Sequence, residues 1–202
     1  MASLGGFEFE ISKAKSYLRL RLRRARLERN MREAKIVRNT SETKVSMRLN
    51  LDGSGKYDVE TGCGFLNHML ELFARHGRFD LEVKCTGDMH VDAHHTAEDT
   101  GIVLGKCFSE ALSNKAGICR YGFFVLPMDE ALILTAVDIS GRECLVYDAD
   151  IPAAKVGDFD TELVKEFLLA FTRNLGASVH VRQLSGENSH HIICLLYTSR
   201  CV

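Results

Sequence analysis

Eight histidines provide the strongest chemical signal in this sequence of 202 residues. They fall in two segments, and each segment contains an adjacent pair, His94-His95 or His190-His191. Neighbouring side chains on a helix diverge by about 100°, so the two rings of a pair can reach different ions or different faces. In the stretch HHTAED, His95 and Glu98 are three residues apart and share a helical face. Imidazole together with carboxylate suits Mn, Fe, Zn, Co or Ni, so this spacing predicts a metal site.

The two histidine pairs belong to an internal repeat. When His68 is aligned with Glu166, a helix, a strand, a loop with glycine and a double histidine follow in the same order in both halves. Such ordered self-similarity indicates a duplication. The first copy reads HHTAE and the second reads HHIIC, so Cys194 stands where the repeat predicts an acid.

Hydrophobic periodicity predicts the elements that hold these residues. Helical spacing predicts helices over 65–75, 96–112 and 160–174, the second with Thr96 as its N-cap and with Glu98 and Asp99 in its first turn. Alternation predicts strands over 45–51, 56–60, 79–85, 123–126, 131–139, 144–147 and 177–184, with the first two joined as a hairpin. The predicted fold class is α+β, with two similar halves that are each a mostly antiparallel four-stranded sheet packed with two helices.

Composition excludes several classes of protein. Hydrophobic residues make up 46% and charged residues 26%, which is typical of a globular chain. The net charge of −1 predicts no general attraction for nucleic acid, and no run approaches the ~20 apolar residues of a membrane span. The seven cysteines form no CxxC pair, which favours reduced thiols and a cytoplasmic location.

The chain is predicted to divide into four segments. Residues 1–30 are a basic N-terminal extension, non-native or disordered, whose stretch YLRLRLRRARLER could alternatively be an arm that binds nucleic acid or membrane. Residues 31–115 are the first repeat half and residues 116–193 the second. Residues 194–202 are predicted to be an aberrant, truncated C-terminal tail.

A set of longer motifs resembles one enzyme family. The motifs are RNTSET, NLDGSG, GFLNHML, RHGRFDLEV, GDMHVDAHHTAEDTGIVLG, GICRYG, PMDEAL, DISGR and ENSHHI, and they span about residues 38–193 in order. Together they are similar to the imidazoleglycerol-phosphate dehydratase family of histidine biosynthesis.

The resemblance implies a metal-dependent assembly. Members of the family build trimers that assemble into a shell of 24 subunits, with two Mn²⁺ ions at each site between subunits. The implied metal ligands are His68, His94, His95, Glu98, Glu166, His190 and His191. Many members have histidine at the position of Glu166, and an acid at the position of Cys194. A phosphate-binding lysine of the family is replaced here by Thr198.

The resemblance also implies the reaction, a dehydration of imidazole-glycerol phosphate to imidazole-acetol phosphate. The substrate's ring acts as the electron sink, because Mn²⁺ favours the imidazolate, which expels the hydroxyl to give a diazafulvene. A general base then removes the proton bound to carbon. The implied catalytic residues are Glu42, His95 and Glu98, and the implied substrate- or phosphate-binding residues are Glu42, His76, Arg120 and Arg142.

Loss of the C-terminal segment and of the acid at Cys194 is expected to impair this activity. The alternative function is that of a non-catalytic metal-binding assembly protein on the same fold. Second-half acids such as Asp129 and Glu130, and first-half acids such as Asp92 and Asp99, are expected to support the site from outside the ligand set.

Overall fold

Two four-stranded sheets with the same strand order make up most of the structure, a computed structural model that describes residues 32–198. The first half contains β1 (Glu33–Asn39), β2 (Thr43–Asn50), β3 (Tyr57–Glu60), α1 (Gly64–Gly77), β4 (Asp80–Gly87) and α2 (His94–Leu112). The second half contains β5 (Tyr121–Met128), β6 (Ala131–Asp138), β7 (Cys144–Asp148), α3 (Leu163–Leu175), β10 (Ser178–Ser185) and α4 (Ser189–Thr198). A short ribbon of β8 (Lys155–Val156) and β9 (Phe159–Asp160) lies between β7 and α3 in the chain.

The strands of the two halves pair in the same way. The orders are β1-β2-β4-β3 and β5-β6-β10-β7, and only the last pair of each sheet is parallel. The register also corresponds, because Leu81 lies opposite Leu49 in the first sheet and Val179 lies opposite Val137 in the second. The predicted α+β fold of two similar, mostly antiparallel halves is confirmed.

The helices bury their apolar faces against the inner faces of the sheets. On α1, the apolar residues recur at helical spacing and are buried together: Leu66, Met69, Leu70, Phe73 and Ala74. Helix α1 packs against α4, and α2 packs against α3, so each helix pair joins the two halves. The α2–α3 approach is close enough to require glycine, since a Cβ on Gly105 would lie 2.5 Å from the backbone oxygen of Phe171.

The predicted hairpin between 45–51 and 56–60 is wrong. Strand β2 pairs with β1 and β4, and β3 pairs in parallel with β4 on the far side. The connecting turn is held at the end of β4, because the Asp80 carboxylate accepts hydrogen bonds from the amides of Ser54 and Lys56. Alternation identifies a strand but carries no information about its partner, which is why the crossover was missed.

The predicted start of the second helix is also wrong. Helix α2 begins at His94, so Thr96 lies inside it and is buried, and Glu98 and Asp99 fall beyond its first turn. The amide of His94 is instead bonded by the side chain of Asp92, 2.7 Å away, at the entrance to the helix. The histidine pair therefore occupies the first turn of α2.

No helix among residues 32–198 has the length and apolar character to cross a membrane. The predictions for residues 1–30 lie outside the described residues, as do those for residues 199–202. The part of the predicted tail that is described, 194–198, continues helix α4. The segment boundaries stay predictions.

Candidate metal centre

One potential metal-binding cluster combines residues from both halves. His68 on α1 and His190 on α4 lie with their ring centroids 5.8 Å apart. Their ligating atoms and the Cys194 sulfur all lie within 4.8 Å of one another. Such a spacing allows the three side chains to contact one ion, and two imidazoles with a third donor fit a divalent transition metal.

The electrostatics of this cluster favour neutral imidazole on one side and a protonated thiol on the other. Burial, together with the nearby charges of His68 and His191, lowers the pKa of His190. A neutral ring has a lone pair to give to a metal. Burial raises the pKa of the Cys194 thiol to about 11, so this donor must lose a proton before it can bind as thiolate.

The second histidine of each pair is held by a carboxylate. Nδ1 of His191 lies 2.9 Å from Oε2 of Glu130, and Nδ1 of His95 lies 3.0 Å from Oδ2 of Asp88. This contact orients each ring through Nδ1 and leaves Nε2 as the ligating atom, as in many carboxylate–histidine–metal arrangements. Nε2 of His191 lies 3.6 Å from Oδ2 of Asp129. The contact with Asp88 raises the pKa of His95, and the contact with His191 lowers the pKa of Glu130 to about 2.

Glu42 lies at the tip of the β1–β2 hairpin, beside the first histidine pair. Its carboxylate is exposed, and its charge interacts with that of His95. The Ser41 hydroxyl donates to Oε1 of Glu42 over 2.7 Å, and this bond lowers the pKa of Glu42, helped by its own amide and Thr40. Glu42 is therefore an ionised and accessible carboxylate next to an imidazole, as a proton acceptor requires.

The remaining predicted ligands lie on the helix pair α2–α3, two on the first-half helix and one on the second-half helix. His94 and Glu98 lie on the first turns of α2, and Glu166 lies in the first turn of α3. The two helices run in the same direction, because Gly101 approaches Phe167 and Gly105 approaches Phe171. The N-terminal turns of α2 and α3, with their half-buried ligands, are thus at the same end of the pair.

The predicted phosphate-binding arginines lie near another acid. Arg120 donates to Asp138 through Nε over 2.7 Å and through Nη2 over 3.1 Å, and both Arg120 and Arg142 lower the pKa of Asp138. Asp138 ends β6, whereas Glu130, which contacts His191, precedes the first residue of β6. The seven steps from Ala131 to Asp138 span about 23 Å, so these arginines and His191 are at opposite ends of the sheet.

His76, predicted to bind substrate, lies in the last turn of α1 and is exposed. It is on the same helix as His68 but eight residues further along, which corresponds to about 12 Å. The structure therefore does not bring His76 to the cluster of His68 and His190.

Asp88 is the supporting residue that the sequence analysis missed. It follows β4 directly and precedes His95 by seven residues, a spacing that belongs to no common ligand pattern. The repeat offers a signal, because Glu187 follows Gly186 as Asp88 follows Gly87. In the second half, however, the contact to histidine is made by Glu130, so the repeat alone would have identified the wrong residue.

Comparisons with known proteins identify a family. The sequence model of the family described as imidazoleglycerol-phosphate dehydratase matches residues 61–200. A protein of that name from Desulforamulus reducens is 58% identical over 151 residues, which are 75% of this chain and 77% of the relative. One from Lachnoclostridium phytofermentans is 54% identical over the same share of each chain.

Solved structures of the family share the fold. The imidazoleglycerol-phosphate dehydratase of Staphylococcus aureus superposes with a TM-score of 0.76 at 37% identity, over 84% of this chain and 94% of the other. The enzyme of Pyrococcus furiosus, solved in complex with (S)-C348, gives a TM-score of 0.71 at 35% identity, over 82% and 89% of the two chains. The resemblance stated from the motifs is thereby confirmed, and this chain belongs to the imidazoleglycerol-phosphate dehydratase family.

Proposed function

We propose that this chain dehydrates D-erythro-imidazole-glycerol phosphate to imidazole-acetol phosphate in histidine biosynthesis, the reaction of a hydro-lyase (EC 4.2.1.19). Membership in the family supports the reaction class. The observation that carries the proposal is the meeting of His68 and His190 from the two repeat halves, together with the carboxylate held on Nδ1 of His95 and of His191. A purely structural duplication has no need for such paired donors.

Two divalent ions are the cofactors of the proposed reaction, and Mn²⁺ is the proposed metal. His68 and His190, with Cys194, would hold one ion. By the repeat, His94, Glu98 and Glu166 occupy the corresponding places and would hold the other. In the second half, the clustered donors His190 and Cys194 are four residues apart. His94 and Glu98 have the same spacing, so His94 rather than His95 is the proposed partner of Glu98 on one ion. His95 and His191 are then free to ligate an ion of a neighbouring subunit.

The bound ions supply Lewis-acid stabilisation of the anionic imidazole ring. The chain's own residues then handle protons. Glu42 is the proposed general base that takes the proton from the middle carbon of the three-carbon chain, because its carboxylate is ionised and accessible. The hydroxyl group leaves from the carbon next to the ring. When the enol becomes the ketone, that carbon takes up a proton, and the proton released from the enol hydroxyl completes the departing water. Asp88 keeps the His95 ring in one orientation beside Glu42 throughout.

Arg120 and Arg142 are the proposed phosphate-binding residues, since a guanidinium can hold phosphate with two parallel bonds. Asp138 accepts two of the Arg120 hydrogen bonds and so orients the remaining donors. A three-carbon substrate cannot reach from these arginines to His191 within one chain, over about 23 Å of strand. This separation supports a homo-oligomer in which one subunit supplies arginines to another subunit's metal cluster, as in the trimers and 24-subunit shells implied by the resemblance.

We further propose that turnover is low. Cys194 offers a buried thiol where the repeat and the resemblance expect an acid, and its raised pKa opposes ligation at neutral pH. Thr198 offers no charge where the resemblance expects a phosphate-binding lysine. A cytoplasmic location is the proposal that fits the pathway.

The direct test is formation of the ketone product from the pure substrate with added Mn²⁺. We expect product in the presence of Mn²⁺ and none after chelation, and we expect His190→Asn to abolish it. The matched control is His180→Asn, which removes an exposed histidine of β10 that is not one of the proposed ligands. Turnover that survives both chelation and His190→Asn would overturn the proposal.

The same experiment separates the alternative function. A non-catalytic metal-binding assembly protein would assemble when Mn²⁺ is added but would form no ketone, even in a Cys194→Glu variant. Light scattering recorded beside the product assay distinguishes the two outcomes.

A further inference from the structure

A buried carboxylate joins helix α2, which carries the proposed ligands His94 and Glu98, to the hairpin that carries Glu42. Asp99 lies on α2, one residue after Glu98, and only 6% of its surface is exposed. It accepts hydrogen bonds from Nη1 of Arg38 on β1 and from Oγ1 of Thr43 on β2. The ion pair with Arg38 is largely shielded from water, which makes both contacts stronger than they would be on the surface.

Hydrogen bonds within the turn tie the tip of this hairpin together. The amide of Thr40 donates to the Thr43 carbonyl over 2.8 Å, and the amides of Glu42 and Thr43 both donate to the Thr40 hydroxyl. Because these bonds tie the four residues of the turn together, fixing Thr43 to α2 also fixes Glu42.

The second half anchors the same turn by a different route. By strand register, Ala131 replaces Thr43 and Leu126 replaces Arg38, so no hydrogen bonds to α4 are available from these places. There the tip is held by Glu130, which accepts from the amides of Glu187 and Asn188 and contacts His191. The carboxylate of Glu130 is therefore engaged in anchoring the turn.

We propose that Asp99 is a positioning residue: it takes over the anchoring of the first hairpin and thereby leaves the Glu42 carboxylate free beside His95. The catalytic part of this inference rests on the proposed dehydration, in which Glu42 is the base. The anchoring part stands on the contacts of Arg38 and Thr43 alone.

The test compares hydroxyl removal at Thr43 with a matched loss of stability elsewhere. Thr43→Val keeps the shape but removes the donor, and Thr43→Ser restores it. The control is Val83→Ala, a fully buried position on β4 without polar contacts. At saturating metal and substrate we expect Thr43→Val to lower kcat about 10- to 100-fold with little change in KM, because small displacements of a catalytic group have effects of this size. Thr43→Ser should retain kcat within about threefold, and Asp99→Asn should fall between the two.

Hydrogen exchange keeps the inference separate from the proposed function. In Thr43→Val the Glu42 amide should exchange about tenfold faster, and in Val83→Ala it should not, if the two variants unfold at similar temperatures. If the unaltered chain forms no ketone, the proposed dehydration fails, and the exchange result alone decides the anchoring. Equal loss of kcat in Thr43→Val and Val83→Ala, or unchanged Glu42 exchange in Thr43→Val, would overturn the role of Asp99.

Discussion

The two halves share a sheet order but use corresponding acids differently. Glu42 and Glu130 occupy the same place at the tips of equivalent hairpins. Glu130 is bound to two amides and a histidine, whereas Glu42 is held by its own turn and points an exposed carboxylate toward the charge of His95. Duplication has therefore produced one structural carboxylate and one that is available for chemistry.

The proposed metal donors of the two halves differ as well. The cluster around His190 includes a thiol at Cys194, whereas the corresponding position of the first half is Glu98. Carboxylate is the harder donor and suits Mn²⁺ better than a thiol does. We therefore expect the two proposed ions to be bound with unequal affinity.

The largest expected effect concerns the two hairpin acids. Glu42→Gln should lower kcat about 10²- to 10⁴-fold, as loss of a general base does. Glu130→Gln should instead weaken Mn²⁺ binding about 10- to 100-fold, with a much smaller change of kcat at saturating metal. Steady-state kinetics at several Mn²⁺ concentrations measure both effects. Identical profiles for the two variants would remove the distinction between the halves.

The next prediction exchanges the thiol and the carboxylate at the equivalent positions Cys194 and Glu98. Cys194→Glu should tighten Mn²⁺ binding at its site, and Glu98→Cys should loosen the other, each by about 10- to 100-fold, because thiol must be deprotonated and is the softer ligand. Calorimetric titration with Mn²⁺ resolves the two sites. The idea fails if Cys194→Glu leaves both affinities unchanged.

A third comparison concerns the helix pairs. Gly105→Ala should destabilise the fold by about 1–3 kcal/mol, because the new methyl group would overlap the backbone oxygen of Phe171 on α3. Gly64→Ala, at the start of α1, is the matched control, since a Cβ there meets no atom within 4 Å. Urea unfolding of the metal-free protein gives both values, and similar midpoints for the two variants would contradict the close approach.

The smallest effect is a difference in titration. In metal-free protein, carbon NMR should show Glu130 titrating at about 2, after Glu42 on acidification, although the pKa of Glu42 is lowered too. Since the pKa of Glu130 is depressed on folding, its bonds stabilise the fold above the ordinary value of 4.5, and this contribution is lost as the pH falls toward 2. Glu130→Gln should therefore melt lower than the unaltered chain near pH 6, with the difference shrinking in acid. Coincident titration of the two carboxylates would argue against separate roles.

Local sequence patterns predicted many of the helices and strands. They could not predict the features that depend on contacts between residues far apart in the sequence. The helix that became α1 was predicted over 65–75 from its apolar spacing and extends over Gly64–Gly77. The repeat predicted equivalent places for His94 and His190 after a strand and a loop, and in the structure both lie in the first turn of a helix. Nothing in the spacing of Arg38, Thr43 and Asp99 indicates that they meet, because the pairing of β1 with β2 brings them together. Strand β1 itself was missed for the same reason.

The crossed helix packing has a consequence for how the molecule originated. His68 comes from one half and His190 from the other, so neither half alone supplies all the donors of this candidate metal site. A two-fold dimer of single halves would share its donors in the same reciprocal way. Fusion of two such genes would make this sharing of donors permanent and would let each copy diverge. A chain severed between α2 and β5 should therefore bind a metal ion at the proposed site only when both fragments reassociate.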